Sequence, residues 1–239
     1  MQRAPEESFY SRPSAPLPDA ANQDAEMAFL PGMRYSIVHE SLTAEPTSTM
    51  KTIVELGCGD GAKLLYVKDH FGFAKAFVID LCFAGSGMDS EDVHFLSANL
   101  NYPWPLEDQS TDVLIAMMLL EHLFDPFFSF REIQRVLRPN GRAFVNLPLI
   151  TSVKNRIRLL LGKIPITSVP YARWQEEEHW DGFHLHYFTV SSIHDLARHA
   201  GLNICKMRTV GKHSAVKNLW PSLLCDEISF ELRHQRNSL

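Results

Sequence analysis

Ile53-Val54-Glu55-Leu56-Gly57-Cys58-Gly59-Asp60-Gly61 is an apolar run that carries one acid near its end and then breaks into three glycines, each two residues from the next. A run of Ile, Val and Leu with a single acid suits a strand buried on both faces. The glycines let the backbone turn sharply out of that strand and approach a ligand with no Cβ in the way. The first amides of a following helix would then face the same ligand. A dinucleotide fingerprint spaces its glycines G-x-G-x-x-G. Here the third comes one residue sooner, with Glu55 ahead of the set. The competing reading is a glycine-rich turn with no ligand.

Outward from this stretch, short apolar runs alternate with amphipathic ones, the pattern of a parallel sheet covered on both faces. It predicts strands near 52–56, 76–80, 93–96, 112–117, 142–147, 203–210 and 227–233, with helices near 61–70, 119–122, 126–138 and 191–200. The fold class is therefore α/β, with a doubly wound, mostly parallel seven-stranded sheet. The clearest helix is 126–138. Pro126 suits its first turn, Phe127, Phe130, Ile133, Val136 and Leu137 form one apolar stripe expected in the core, and Pro139-Asn140-Gly141 stops it. Residues 1–31 carry five prolines among polar residues and read as a flexible tail ahead of a single domain, 32–239. Residues 149–183 break the rhythm after the fifth strand, and a loop of that length suggests a substrate cap. Leu219–Leu232 is apolar enough to pair with a second subunit, as in a homodimer, or to supply the last antiparallel strand of its own sheet.

In a doubly wound sheet, ligands bind beyond the carboxyl ends of the strands, where strand order reverses. Four motifs fall at such ends. Glu55 with Gly57–Gly61 is the first, and Asp80, closing Ala-Phe-Val-Ile-Asp, is the second: an acid there can accept both hydroxyls of a ribose. Ser97-Ala98-Asn99-Leu100 follows the third strand, and Ser110 to Pro126, with Leu120-Glu121-His122, holds the fourth strand and its turn. These motifs, continued by Arg131-Glu132-Ile133, Val136–Gly141 and Phe144–Pro148, resemble in order and spacing the class I S-adenosylmethionine (SAM)-dependent methyltransferases, in particular the ubiquinone-biosynthesis type with its Leu-Glu-His triplet. The resemblance implies a Rossmann-like domain that binds SAM and releases S-adenosylhomocysteine. It places the cofactor against Glu55, Gly57, Cys58, Gly59, Gly61, Asp80, Leu81, Asn99, Leu100 and Met117, with Glu55 toward the methionine ammonium. The family usually has aspartate facing the adenine amino group, where this chain has Asn99. A narrower likeness, carried by Asn155–Thr167, Pro170-Tyr171, Trp174 and His184–Thr189, is to the methionine-biosynthesis W proteins, which have the fold and are associated with homoserine acyltransferases. It implies a partner protein that methylates nothing. The Leu-Glu-His triplet departs from those proteins and favours catalysis.

The sulfonium of SAM is already an activated donor, so the protein mainly has to hold a nucleophile in line and exclude water. A base is needed only for an acceptor protonated at neutral pH. The candidates are His122, His184 and His186, each with the alternative of a purely structural role. His184 and His186 alternate along an extended segment and so share one face. With Glu176, Glu177, Glu178 and His179 they could build a metal site, but such residues in a polar lid are commoner without one, and no metal is expected. Tyr171, Trp174, Trp180 and Phe183 could wall a pocket for an aromatic or lipid-like acceptor.

Composition narrows the partners. The chain has 239 residues, 45% hydrophobic and 21% charged, with net charge −5. No apolar run reaches the ~20 residues of a membrane span. The start lacks a basic and apolar leader, so a cytoplasmic location is expected. Cys58, Cys82, Cys205 and Cys225 have no C-x-x-C spacing and read as reduced thiols. The acidic balance disfavours nucleic acid and leaves a small-molecule acceptor as the expected partner. The one basic cluster, Lys154, Arg156, Arg158 and Lys163, reads as the solvated face of a helix.

Overall fold

The computed structural model describes residues 27–45, 49–57, 61–81, 90–168, 181 and 184–235. In chain order the elements are α1 (Ser36–Ala44), β1 (Thr52–Leu56), α2 (Ala62–Phe71), β2 (Lys75–Asp80), β3 (Val93–Ser97), β4 (Thr111–Met117) and a 3₁₀ turn (Leu120–His122). Then come α3 (Pro126–Val136), β5 (Leu137–Pro148), α4 (Val153–Leu160), α5 (Val190–His199), β6 (Leu202–Thr209), the short turns α6 (Ser214–Lys217) and α7 (Pro221–Leu224), and β7 (Glu227–His234). The seven strands form one sheet in the order β3-β2-β1-β4-β5-β7-β6. Only β7 runs against its neighbours, β5 and β6. The order reverses between β1 and β4, which puts the switch point at the glycine motif.

Alternation along the strands divides the core in two. Val54, Leu56, Ile79, Leu114 and Ala116 face one way, with Phe130, Ile133 and Val136 of α3 and Ile193 and Leu196 of α5. Ile53, Val78, Val113, Ile115 and Met117 face the other way, with Ile37, Val38 and Leu42 of α1 and Leu64 and Val67 of α2. Two helices over this sheet start on side-chain caps. Asp125 Oδ1 accepts the Phe128 amide at 3.0 Å ahead of Pro126, and Thr189 and Ser192 form a reciprocal capping box.

Several boundaries differ from those read in the sequence. The helix expected to 138 ends at Val136, where β5 takes over the chain, and Arg138, the residue before Pro139, is kept from the helical region as well. Leu137 is already extended and pairs with Thr111, with a shift in register before Val113 meets Arg142. Phe127, assigned to the core stripe, is 47% exposed and meets His199 edge-on. Of the residues assigned to the tail, Phe29 is buried against Tyr35 and Tyr66. Within 219–232, residues from Glu227 on are occupied on both edges by β5 and β6 of the same sheet. No helix among the described residues is long and apolar enough to cross a membrane.

Candidate active site

Parallel register decides which strand-end groups meet. Glu55 pairs with Val78 and Ile115, and Asp80 lies two residues beyond Val78, so Glu55, Asp80 and Met117 project from the same face, the one covered by α1 and α2. Glu55 is buried and accepts a hydrogen bond from the Tyr35 hydroxyl, supplied by the residue that precedes α1. Nothing in the sequence pattern marks Tyr35. Only the folding of α1 onto the motif brings it there.

Gly57 and Gly61 have φ of 64° and 74°, values that L side chains rarely adopt. A Cβ on Gly57 would meet Leu119 Cδ1 at 2.8 Å, and one on Gly61 would meet Phe95 and Val78 at 3.3 Å. Glycine is therefore required here by turn and packing together. The turn delivers the start of α2 with a glycine, which has no side chain, at its N-cap, a position suited to a carboxylate. Cys58 and Gly59 lie outside the described residues. Leu81 accepts the Ser97 hydroxyl at its carbonyl. Leu100 is buried and its carbonyl accepts the Trp104 indole. Asn99 Oδ1 already accepts both the amide and the side-chain Nδ2 of Asn101, at 3.0 and 3.1 Å, which leaves the Asn99 amide nitrogen as the group able to face a ring.

Beyond β4 the chain bends through Met118 at φ 54°, a costly angle for a bulky residue, into the Leu-Glu-His turn. There Glu121, His122 and His184 converge. Each offers one atom, carboxylate oxygen or ring nitrogen, and all lie within 4.8 Å of one another. The two imidazoles meet edge to face at 4.8 Å between centroids. Segment 184–188 is held against the turn because the Glu121 carbonyl accepts the amides of Leu185 and His186, and Leu149 bridges to Phe188. His186 is not part of the cluster. Its Nε2 lies 3.1 Å from the Phe124 carbonyl, so the two histidines that alternate in sequence do not share a site.

His184 Nδ1 is 2.7 Å from Thr167 Oγ1, and that hydroxyl donates to Asp181 Oδ2 at 2.6 Å. With its proton used on Asp181, Thr167 accepts from Nδ1–H, and Nε2 is left with its lone pair toward Glu121 Oε1, 4.0 Å away. Burial, then the neighbouring His122, lower His184 to a pKa of about 4, against a smaller upward pull from Asp181. Glu121 is fully buried, with no hydrogen-bond partner at either oxygen among the described residues. Burial raises its pKa to about 8, offset only in part by its own backbone and by Arg34. The sequence offered His184 but hid Thr167 and Asp181, which come from the presumed cap. Tyr171, Trp174, Glu176, Glu177, Glu178, His179, Trp180 and Phe183 lie outside the described residues. A cleft of about 400 Å³ lies at the other end of the sheet, between the end of α1 and β6–β7. Ion pairs such as Arg233–Glu45 and Lys206–Glu40 cross that surface.

The glycine turn lies at the switch point, Glu55 and Asp80 share one face, and Glu121, His122 and His184 gather beyond β4. A family model described as a methyltransferase domain covers residues 31–206. The chain belongs to the class I SAM-dependent methyltransferase family. A relative in Mycobacterium tuberculosis, described as a "probable S-adenosylmethionine-dependent methyltransferase", is 31% identical over 135 residues, 54% of this chain and 44% of that protein. The chain thus spans less than half the length of that curated relative. Among solved structures, a SAM-dependent methyltransferase from Mesorhizobium loti superposes with a TM-score of 0.58 at 16% identity, covering 90% of this chain and 99% of that one. Phosphoethanolamine N-methyltransferase 2 of Haemonchus contortus, solved with SAM, gives 0.60 at 13% identity over 96% and 60% of the two chains. At these identities the structures establish the methyltransferase fold and no more. The narrower likeness to the methionine-biosynthesis W proteins finds no support in these comparisons.

Proposed function

We propose that this methyltransferase-family chain transfers a methyl group from SAM to an oxygen or nitrogen of a small-molecule acceptor, with His184 taking the acceptor's proton. The observation that carries the reading is the orientation of His184 by Thr167 and Asp181 beside the buried Glu121, at the end of β4 and next to the glycine turn that Leu119 packs against. When bound, SAM supplies a methyl group already activated by its sulfonium. Glu55 would meet the methionine ammonium, the α2 amides its carboxylate, and Asp80 the ribose hydroxyls. The His184 imidazole stays neutral through the physiological range, and its Nε2 can receive the proton that leaves the acceptor as the new bond to carbon forms. Glu121, beside it, holds its own proton up to about 8 and stabilises the imidazolium electrostatically only above that value. The acidic balance of the chain, −5, supports a small molecule over nucleic acid.

The test is incubation of the protein with methyl-labelled SAM and a metabolite extract, with SAM binding followed by calorimetry in the same sample. Label in a discrete metabolite, lost in His184→Gln while SAM binding persists, is the expected outcome. Undiminished transfer by His184→Gln removes the base from the reading, and absence of SAM binding removes the reading itself.

A second reading has its own observation: the donor atoms of Glu121, His122 and His184 are close enough together to hold a divalent cation, which would bind the acceptor oxygen and replace the base. Activity that is lost on chelation and restored by Mg²⁺, Mn²⁺ or Zn²⁺ would favour it.

A further inference from the structure

The basic helix after β5 is not the solvated polar face that its charges suggest. Val153, Ile157 and Leu160 recur at the spacing of one helix stripe and are 46, 52 and 86% exposed, and Leu161 and Ile164, just beyond the helix, are 67 and 37% exposed. On the other side of the helix Asn155 is buried and its Oδ1 accepts the amide of Ile166, in the segment that follows, at 3.0 Å. A surface helix normally turns its apolar stripe inward, and α4 turns it out. The stripe is flanked by Lys154, Arg156, Arg158 and Lys163, with no carboxylate between residues 149 and 175 in a chain that is otherwise net acidic.

The topology adds a second patch at the same end of the molecule. β5 and β6 both end there and β7 begins there, with the Leu149 amide bonded to the Asp226 carbonyl at 2.7 Å. The turn between β6 and β7 carries Leu219 and Trp220, 84 and 59% exposed. This is also the end that holds the Glu121–His184 cluster.

We propose that this end of the molecule, led by α4, seats on an anionic lipid bilayer, and that the methyl acceptor is an amphiphile taken from it. Exposed aliphatic side chains framed by cations, with a tryptophan nearby, fit the boundary between acyl chains and anionic headgroups. Nucleic acid would match the cations and leave the aliphatic stripe in water. The substrate class rests on the methyl-transfer reading above; attachment to the bilayer does not.

The experiment is flotation of the full chain with phosphatidylcholine vesicles, with and without about 30 mol% phosphatidylglycerol. Binding is expected to be about tenfold tighter or more on the anionic vesicles, to weaken in high salt, and to fall by about tenfold or more in Leu160→Asp/Leu161→Asp. That double variant changes only exposed side chains, so its melting temperature and SAM affinity should equal those of the parent. Equal or absent binding to both vesicle types, or undiminished binding by the variant, overturns the proposal. So does a concentration-dependent dimer that the variant dissociates, since a second copy would then be what covers α4. SAM affinity is read separately: its absence would defeat the methyl-transfer reading and leave the vesicle result standing.

Discussion

Glu121 and His184 carry opposite pH signatures. Glu121 holds its proton in the folded chain up to about 8 but releases it near the ordinary carboxylate value when unfolded. The native state therefore binds the extra proton between these values, and stability falls as pH rises through that window. His184, lowered to about 4, acts in reverse: the unfolded chain binds the proton between about 4 and 6.5, so stability rises with pH there. The two effects oppose each other up to about pH 6.5, and above it Glu121 acts alone. Metal-free protein is expected to lose about 2 kcal/mol between pH 6.5 and 8, and Glu121→Gln to flatten that limb. Melting temperature against pH in the presence of a chelator measures both. At the cofactor end, Asp80→Ala should weaken SAM binding about tenfold or more, the loss of hydrogen bonds to a charged acceptor, with little change in melting temperature. Unchanged affinity by calorimetry would remove Asp80 from the cofactor site.

Elements deliver these residues, and their ends matter more than their middles. The capping box at Thr189 starts α5 one residue after Phe188, whose carbonyl accepts the Ile150 amide, so the cap also fixes the segment that holds His184 on the Glu121 turn. Thr189→Ala is expected to cost about 1 kcal/mol of stability in denaturant unfolding. Gly57→Ala combines a left-handed φ with a 2.8 Å approach to Leu119. It should destabilise the chain by about 1–3 kcal/mol and weaken SAM binding, because Leu119 cannot withdraw without moving the Leu-Glu-His turn. The helix over 126–136 was legible in sequence because its cap, its N-terminal proline and its apolar period agree. Its exit falls two residues earlier than the Pro139-Asn140-Gly141 stop suggests, because Leu137 and Arg138 already belong to β5, which pairs with β4.

At the scale of the whole molecule, β7 ties the far half of the sheet together. Phe230, fully buried and paired with Val145 on one side and Met207 on the other, should cost about 3–5 kcal/mol as Phe230→Ala in equilibrium unfolding, enough to unfold a marginal domain. The sequence by itself determined the sheet's strands, the glycine turn and the acidic strand ends, because a short apolar run, glycine's access to positive φ and an acid at a strand's end are written within a few consecutive residues. It also determined that Glu121 and His122 belong together, since they adjoin in the chain. Only the tertiary structure decided that His184 joins them while His186 does not, that Thr167 and Asp181 orient His184, that Tyr35 closes on Glu55, and that the apolar stripe of α4 faces outward. Each of these depends on which distant segments pack against one another, and a hydrogen bond between residues far apart in the chain leaves no periodic trace in sequence.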